Sequence, residues 1–136
     1  MQFLFIYIGG EAGQKFDPEK LKRDLAEIEG VSDINGENLT DSVVACHYKF
    51  GGYRTTMRLS EGLETVSTNH NGEADWNLAL ELQKREPRPL RIFNDDYDFH
   101  FSLKGIKSLD ELKQKIAESY FDDEAKAMEA RSAEVG

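Results

Sequence analysis

The sequence predicts a single α+β domain: a mainly antiparallel sheet, in the order β-α-β-β-β-α-β-β-α, with helices packed on one face. Three observations carry this prediction. Residues 44–59 alternate apolar and polar side chains outward from Gly51-Gly52, and glycine reaches the positive φ that a two-residue hairpin turn requires. Three other stretches repeat apolar residues at helical spacing, two of them behind recognisable start signals. The 136 residues suffice for one ordinary core, and the single cysteine, Cys46, rules out an internal disulfide.

The first strand, residues 3–8, is apolar on both alternating faces, with Phe3, Phe5 and Tyr7 opposed to Leu4, Ile6 and Ile8. That pattern predicts an interior strand covered on both sides, at least in part. A helix follows: Asp17 is its N-cap, Pro18 takes the first helical position, and Phe16 and Leu21 have the spacing of a hydrophobic staple. Leu21, Leu25 and Ile28 form its apolar stripe, and Gly30 is placed to end it.

In the hairpin, pairing outward from the glycines sets Phe50 opposite Tyr53, Tyr48 opposite Thr55, Cys46 opposite Met57 and Val44 opposite Leu59 on one mostly apolar face. Lys49 with Arg54, His47 with Thr56, and Ala45 with Arg58 share the other. A turn at Glu61-Gly62 adds a third strand, Leu63 to His70, which places Thr65, Ser67 and Asn69 on the polar face and Val66 in the core. The polar face of this meander holds no aromatic residue in that register, which speaks against a base-stacking platform.

The second helix, Glu73 to Arg85, carries Trp76, Leu78, Ala79, Leu80 and Leu82, and Pro87 and Pro89 stop it. Leu90 to Phe93 and Tyr97 to Leu103 form a second hairpin, whose later arm points Tyr97, Phe99, Phe101 and Leu103 inward and Asp98, His100 and Ser102 outward. Ser108-Leu109-Asp110-Glu111 matches a capping box and opens a last helix with the stripe Leu109, Leu112, Ile116 and Tyr120. The domain so defined spans 1–121, and 122–136 reads as a charged tail, a frayed helix or disordered.

The net charge is −9, and of the four stretches 1–42, 43–72, 73–108 and 109–136 only the second, with three basic and two acidic side chains, is net positive. Such a field disfavours nucleic acid and anionic lipid and favours a basic protein partner. The apolar run at the start is too short to span a membrane and lacks a basic leader, so the expected location is cytoplasmic, with no membrane partner.

No catalytic, cofactor or metal motif emerges, and no cofactor is expected. Gly9-Gly10-Glu11-Ala12-Gly13 fits neither a dinucleotide fingerprint nor a phosphate loop, and Glu11 sets a carboxylate among the amides an anion would need. Cys46 and His47 are strand neighbours whose side chains diverge, so they cannot form a dyad. Asn94, Asp96 and Asp98 copy the start of a calcium loop, but Phe99 stands where glycine is required and Gly105 where the bidentate glutamate belongs. His47, His70 and His100 show no ligand spacing.

The candidates for partner contact are the acidic turn Asp95, Asp96 and Asp98 with the acidic helix 108–121, and the basic strand positions Lys49, Arg54 and Arg58. In size, acidity and mixed α+β build the chain resembles the small bacterial immunity proteins that neutralise toxins. The resemblance contains no diagnostic motif, so no residue is carried over from it. It implies a non-catalytic protein-binding module, an immunity or inhibitor protein for a basic partner such as a toxin domain. The alternatives are a small enzyme or small-ligand binder with its site between the meander and a helix, and an accessory subunit dimerising through a sheet edge.

Overall fold

The computed structural model describes residues 3–35 and 42–119. Its elements are β1 (Leu4–Ile8), α1 (Pro18–Ala26), β2 (Val31–Ser32), β3 (Ser42–Phe50), β4 (Tyr53–Ser60), β5 (Thr65–Thr68), α2 (Glu73–Arg85), β6 (Leu90–Asn94) and β7 (His100–Ser102). A third helix, α3, covers 109–119. Tyr120 and the predicted tail at 122–136 lie outside the described residues. The strands form one antiparallel sheet in the order β2-β3-β4-β5-β1-β6-β7, which is the predicted α+β architecture with one strand added. That strand, β2, pairs Val31 with Tyr48 and Ser32 with His47 at the sheet edge. Two residues are too few to show an alternation.

The first hairpin has the predicted register throughout, from Phe50 opposite Tyr53 to Val44 opposite Leu59, and Gly51 and Gly52 both take positive φ, 54° and 87°. α1 starts as its sequence demands, with the Asp17 carboxylate accepting from the amides of Glu19 and Lys20. Phe16, Leu21, Leu25 and Ile28 are all buried. The start of α2 relies on Asp75, whose buried carboxylate accepts from the Gly72 amide at 3.0 Å and the Thr55 hydroxyl at 2.7 Å. This bond also explains why a threonine is tolerated on the core side of β4: its one polar group is matched within the core. The second buried polar tie is Tyr48, whose hydroxyl accepts from Asn77 Nδ2 at 2.7 Å.

The helices lie on one side of the sheet. Leu4, Ile6 and Ile8 meet Leu25, Leu78, Leu82, Leu112 and Ile116 in a single core with Val44, Met57, Leu59, Val66 and Ile92. β1 is interior, between β5 and β6, as its sequence implies. Its two faces are covered unequally among the described residues: Leu4, Ile6 and Ile8 are buried, whereas Phe3, Phe5 and Tyr7 are half-buried on the face opposite the helices. Hydrophobicity reports burial, and here it also marks rings that pack chiefly on one another.

Tyr97, predicted to point inward, is instead 63% exposed. The turn from Asn94 to Tyr97 closes with the Tyr97 amide donating to the Asn94 carbonyl, and Tyr97 takes φ 53°. Alternation therefore begins only at Phe99, and Phe99, Phe101 and Leu103 are buried as expected. The Tyr97 ring swings to the uncovered face.

Candidate functional site: the open face of the sheet

Because side chains alternate along each strand, the uncovered face collects every second residue of seven strands. One row runs through Arg58, Ser67, Phe5, Phe93 and His100, each the Cα partner of the next across β4, β5, β1, β6 and β7. The next row holds Thr65, Tyr7, Arg91 and Ser102. The face thus divides into a basic half on β3 and β4 and an aromatic half on β1, β6 and the turn before β7.

The aromatic half is a connected set of rings. Phe93 stacks on Phe5 at 5.1 Å and 21° and on Tyr97 at 5.0 Å and 9°. Tyr7 and His100 both meet Phe93 edge-on, at 5.8 and 5.6 Å, and Phe3 lies 6.4 Å from Phe5. The Tyr7 hydroxyl and His100 Nε2 share a hydrogen bond. Partial burial and then the nearby Arg91 charge hold the His100 imidazole below its usual pKa, so this cluster carries no charge of its own at neutral pH. Such a set of half-exposed rings is what interface cores are made of.

The predicted contact residues of the strands and the turn fall into two separate places. Lys49 and Arg54 are exposed cross-strand neighbours, and Arg58, also exposed, donates to Asn69 Oδ1 at 3.2 Å. Asp95 and Asp96 are exposed at the far end of the aromatic half, where the Asp95 carboxylate accepts from the Phe3 amide. Asp98 serves the turn instead: its carboxylate accepts from the buried Asn94 Nδ2 at 2.8 Å, and its amide donates to Asn94 Oδ1. Three strand steps separate β4 from β6, about 14 Å, so the acidic and basic groups do not form one cluster.

The six rings were each visible in the sequence, but not their shared face. The meander taken alone has no aromatic residue on its polar side. β1 and β6 belong to the same sheet and bring rings to that face, which corrects the expectation of a face without an aromatic platform. Phe93 has two stacked ring neighbours, Phe5 and Tyr97, and Tyr97 itself is 63% exposed.

The remaining candidates resolve on geometry. Cys46 is buried, and burial pushes its thiol up to about 12, while His47 faces the opposite side and bonds Thr56 Oγ1 at 3.1 Å. A thiol so protonated and enclosed is neither nucleophile nor ligand. Among the described residues no group of three His, Cys, Asp or Glu is placed to hold a metal ion, and no helix is long and apolar enough to cross a membrane. A hollow of about 480 Å³ does lie between the meander and α2, lined by Tyr53, Arg54, His70 and Trp76. Its carboxylates are engaged within the fold, Asp75 as above and Glu73 by Lys113. The chain matches no family model, no curated protein and no solved structure.

Proposed function

We propose that the chain is a non-catalytic protein-binding module that holds a basic partner against the aromatic half of its open sheet face. The observation that carries this reading is the connected set of Phe3, Phe5, Tyr7, Phe93, Tyr97 and His100 on a face that no helix covers among the described residues. Rings that already pack against one another are preorganised, and desolvating them against a partner supplies affinity at little cost in side-chain entropy. Charge chooses the partner. Asp95 and Asp96 stand at one end of β1, Glu11 and Glu64 at the other, on a chain of net charge −9. A basic protein is steered toward that half and an acidic one is repelled. The finer form of the proposal, an inhibitor of a basic toxin domain, joins this polarity to the resemblance to immunity proteins.

Capture from the source cell's lysate at low salt tests the reading. A partner held by the native chain should bind about 30-fold more weakly to Tyr97→Ala, since a central aromatic anchor contributes on that scale, and more slowly to the charge-reversed Asp95→Lys/Asp96→Lys protein. Arg54→Glu/Arg58→Glu should bind within about threefold of native, as rim charges away from the contact do. The opposite ranking contradicts the proposal and moves the contact to β3 and β4, with an acidic partner. Nuclease-sensitive capture contradicts it in favour of nucleic acid.

A further inference from the structure

At the end of the ring cluster the open face sinks into a hollow of about 340 Å³, where β1 runs into the glycine-rich loop before α1. Tyr7 and Phe93 form its floor, the start of β5 one wall, and residues 10–14 the other. The loop is fastened along its length. Gln14 Nε2 donates to the Gly9 carbonyl at 2.7 Å and the Glu11 carbonyl at 3.3 Å, and the Phe16 amide donates to the Leu63 carbonyl at 2.8 Å. Gly10 and Gly13, at φ 95° and 79°, allow the chain to fold back over the hollow.

The charge of this hollow is one-sided. Its ionisable lining besides Tyr7 is Glu11 and Glu64, both exposed, and neither has an ion-pair partner among the described residues. The Glu64 carboxylate lies over the loop, with Oε1 3.7 Å from where a Cβ on Gly13 would stand. Arg91 is on the other flank of Tyr7, on β6, with its methylenes packed along Gly9 and its charge felt at His100. The ring neighbours of Tyr7, Phe93 and His100, also come from the β6–β7 side. On its β5 side Tyr7 has Thr65 as cross-strand partner, and Glu11 and Glu64 line the same hollow.

We infer that this hollow binds an organic cation, the ammonium or guanidinium head of a basic side chain, over the Tyr7 ring and between the carboxylates of Glu11 and Glu64. Rings attract weakly hydrated cations through their negative faces, and flanking carboxylates add Coulombic attraction in a site partly shielded from water. A small, strongly hydrated ion gains less, because two unpositioned carboxylates do not replace its water shell. The inference rests on the docking reading only in assigning the cation to a partner: the hollow would receive a lysine or arginine while the rings beside it receive apolar surface.

The test is titration of the native protein with tetramethylammonium chloride and, separately, arginine methyl ester, at constant ionic strength against sodium chloride, followed by amide NMR. Saturable shifts are expected at Tyr7, Gly10, Gly13 and Thr65, with the arginine and quaternary probes distinguishing guanidinium from ammonium preference. Glu11→Gln/Glu64→Gln should weaken binding about tenfold, Tyr7→Phe should retain it, and Tyr7→Leu should lose it. Shifts no larger than those from sodium, or binding unchanged in the double glutamine variant, overturn the inference. If the cation fails while capture still depends on Tyr97, the hollow is not a cation site and the docking reading stands. If the cation binds and capture ignores Tyr97, the reverse holds.

Discussion

Replacing Gly30 with alanine is expected to destabilise the fold by about 4 kcal/mol, the range of the most damaging single substitutions. Gly30 takes φ 96°, and a Cβ there would sit 2.3 Å from the Lys49 carbonyl oxygen and 3.3 Å from the Tyr48 ring. The obstacle is backbone, which cannot swing aside. The Gly30 carbonyl also accepts from the Lys49 amide at 3.0 Å, so retreat would break the bond that joins the end of the α1 segment to β3. Urea unfolding measures the effect, with Gly62→Ala as control, since nothing lies within 4 Å of a Cβ at that glycine. The control should change stability by less than about 0.5 kcal/mol. A loss below about 1 kcal/mol for Gly30→Ala would mean that the two backbones are not held so close.

Truncating neighbouring residues of β1 is expected to give very unequal losses. Ile6 is fully buried beneath the helices, and Ile6→Ala should cost about 4 kcal/mol in lost transfer energy and residual cavity. Phe5, the larger side chain, lies half-buried on the open face, and Phe5→Ala should cost only about 1 kcal/mol. The contrast follows from a sheet covered on one side. Two equal losses, each near that of Ile6, would require a second layer over Phe5 and would remove the open face from consideration as a binding surface.

Much of the fold was legible because its signals are local. Asp17 and Pro18 start α1, Gly51-Gly52 fix a register that holds from Phe50 opposite Tyr53 to Val44 opposite Leu59, and the alternation of Phe99, Phe101 and Leu103 names the inner side of β7. What was not legible depends on which strands share a sheet. β1 pairs with β5 and β6, residues about 60 and 85 positions away, and no periodicity within residues 3–8 says whether the second face meets a helix or water. The same gap hid the aromatic half of the site: Phe5 and Phe93 become neighbours only through the β1–β6 register. Tyr97 was misplaced for a different reason, because one residue at positive φ shifts the phase of everything before Phe99. Of the predicted contact residues, Asp98 looked like Asp95 and Asp96 in sequence, and only its bond to buried Asn94 marks it as structural.

The most direct test of the docking face is hydroxyl-radical footprinting of the chain alone and with a captured partner. Tyr53 is the internal control: it is 59% exposed, comparable to the 63% of Tyr97, but shares the helix side of β4 with Thr55 and Met57. The account predicts that oxidation of Tyr97, Tyr7 and Phe3 falls several-fold in the complex while that of Tyr53 is unchanged. Protection of Tyr53 and of the exposed surfaces of α1 and α3, with Tyr97, Tyr7 and Phe3 oxidised as before, would contradict it.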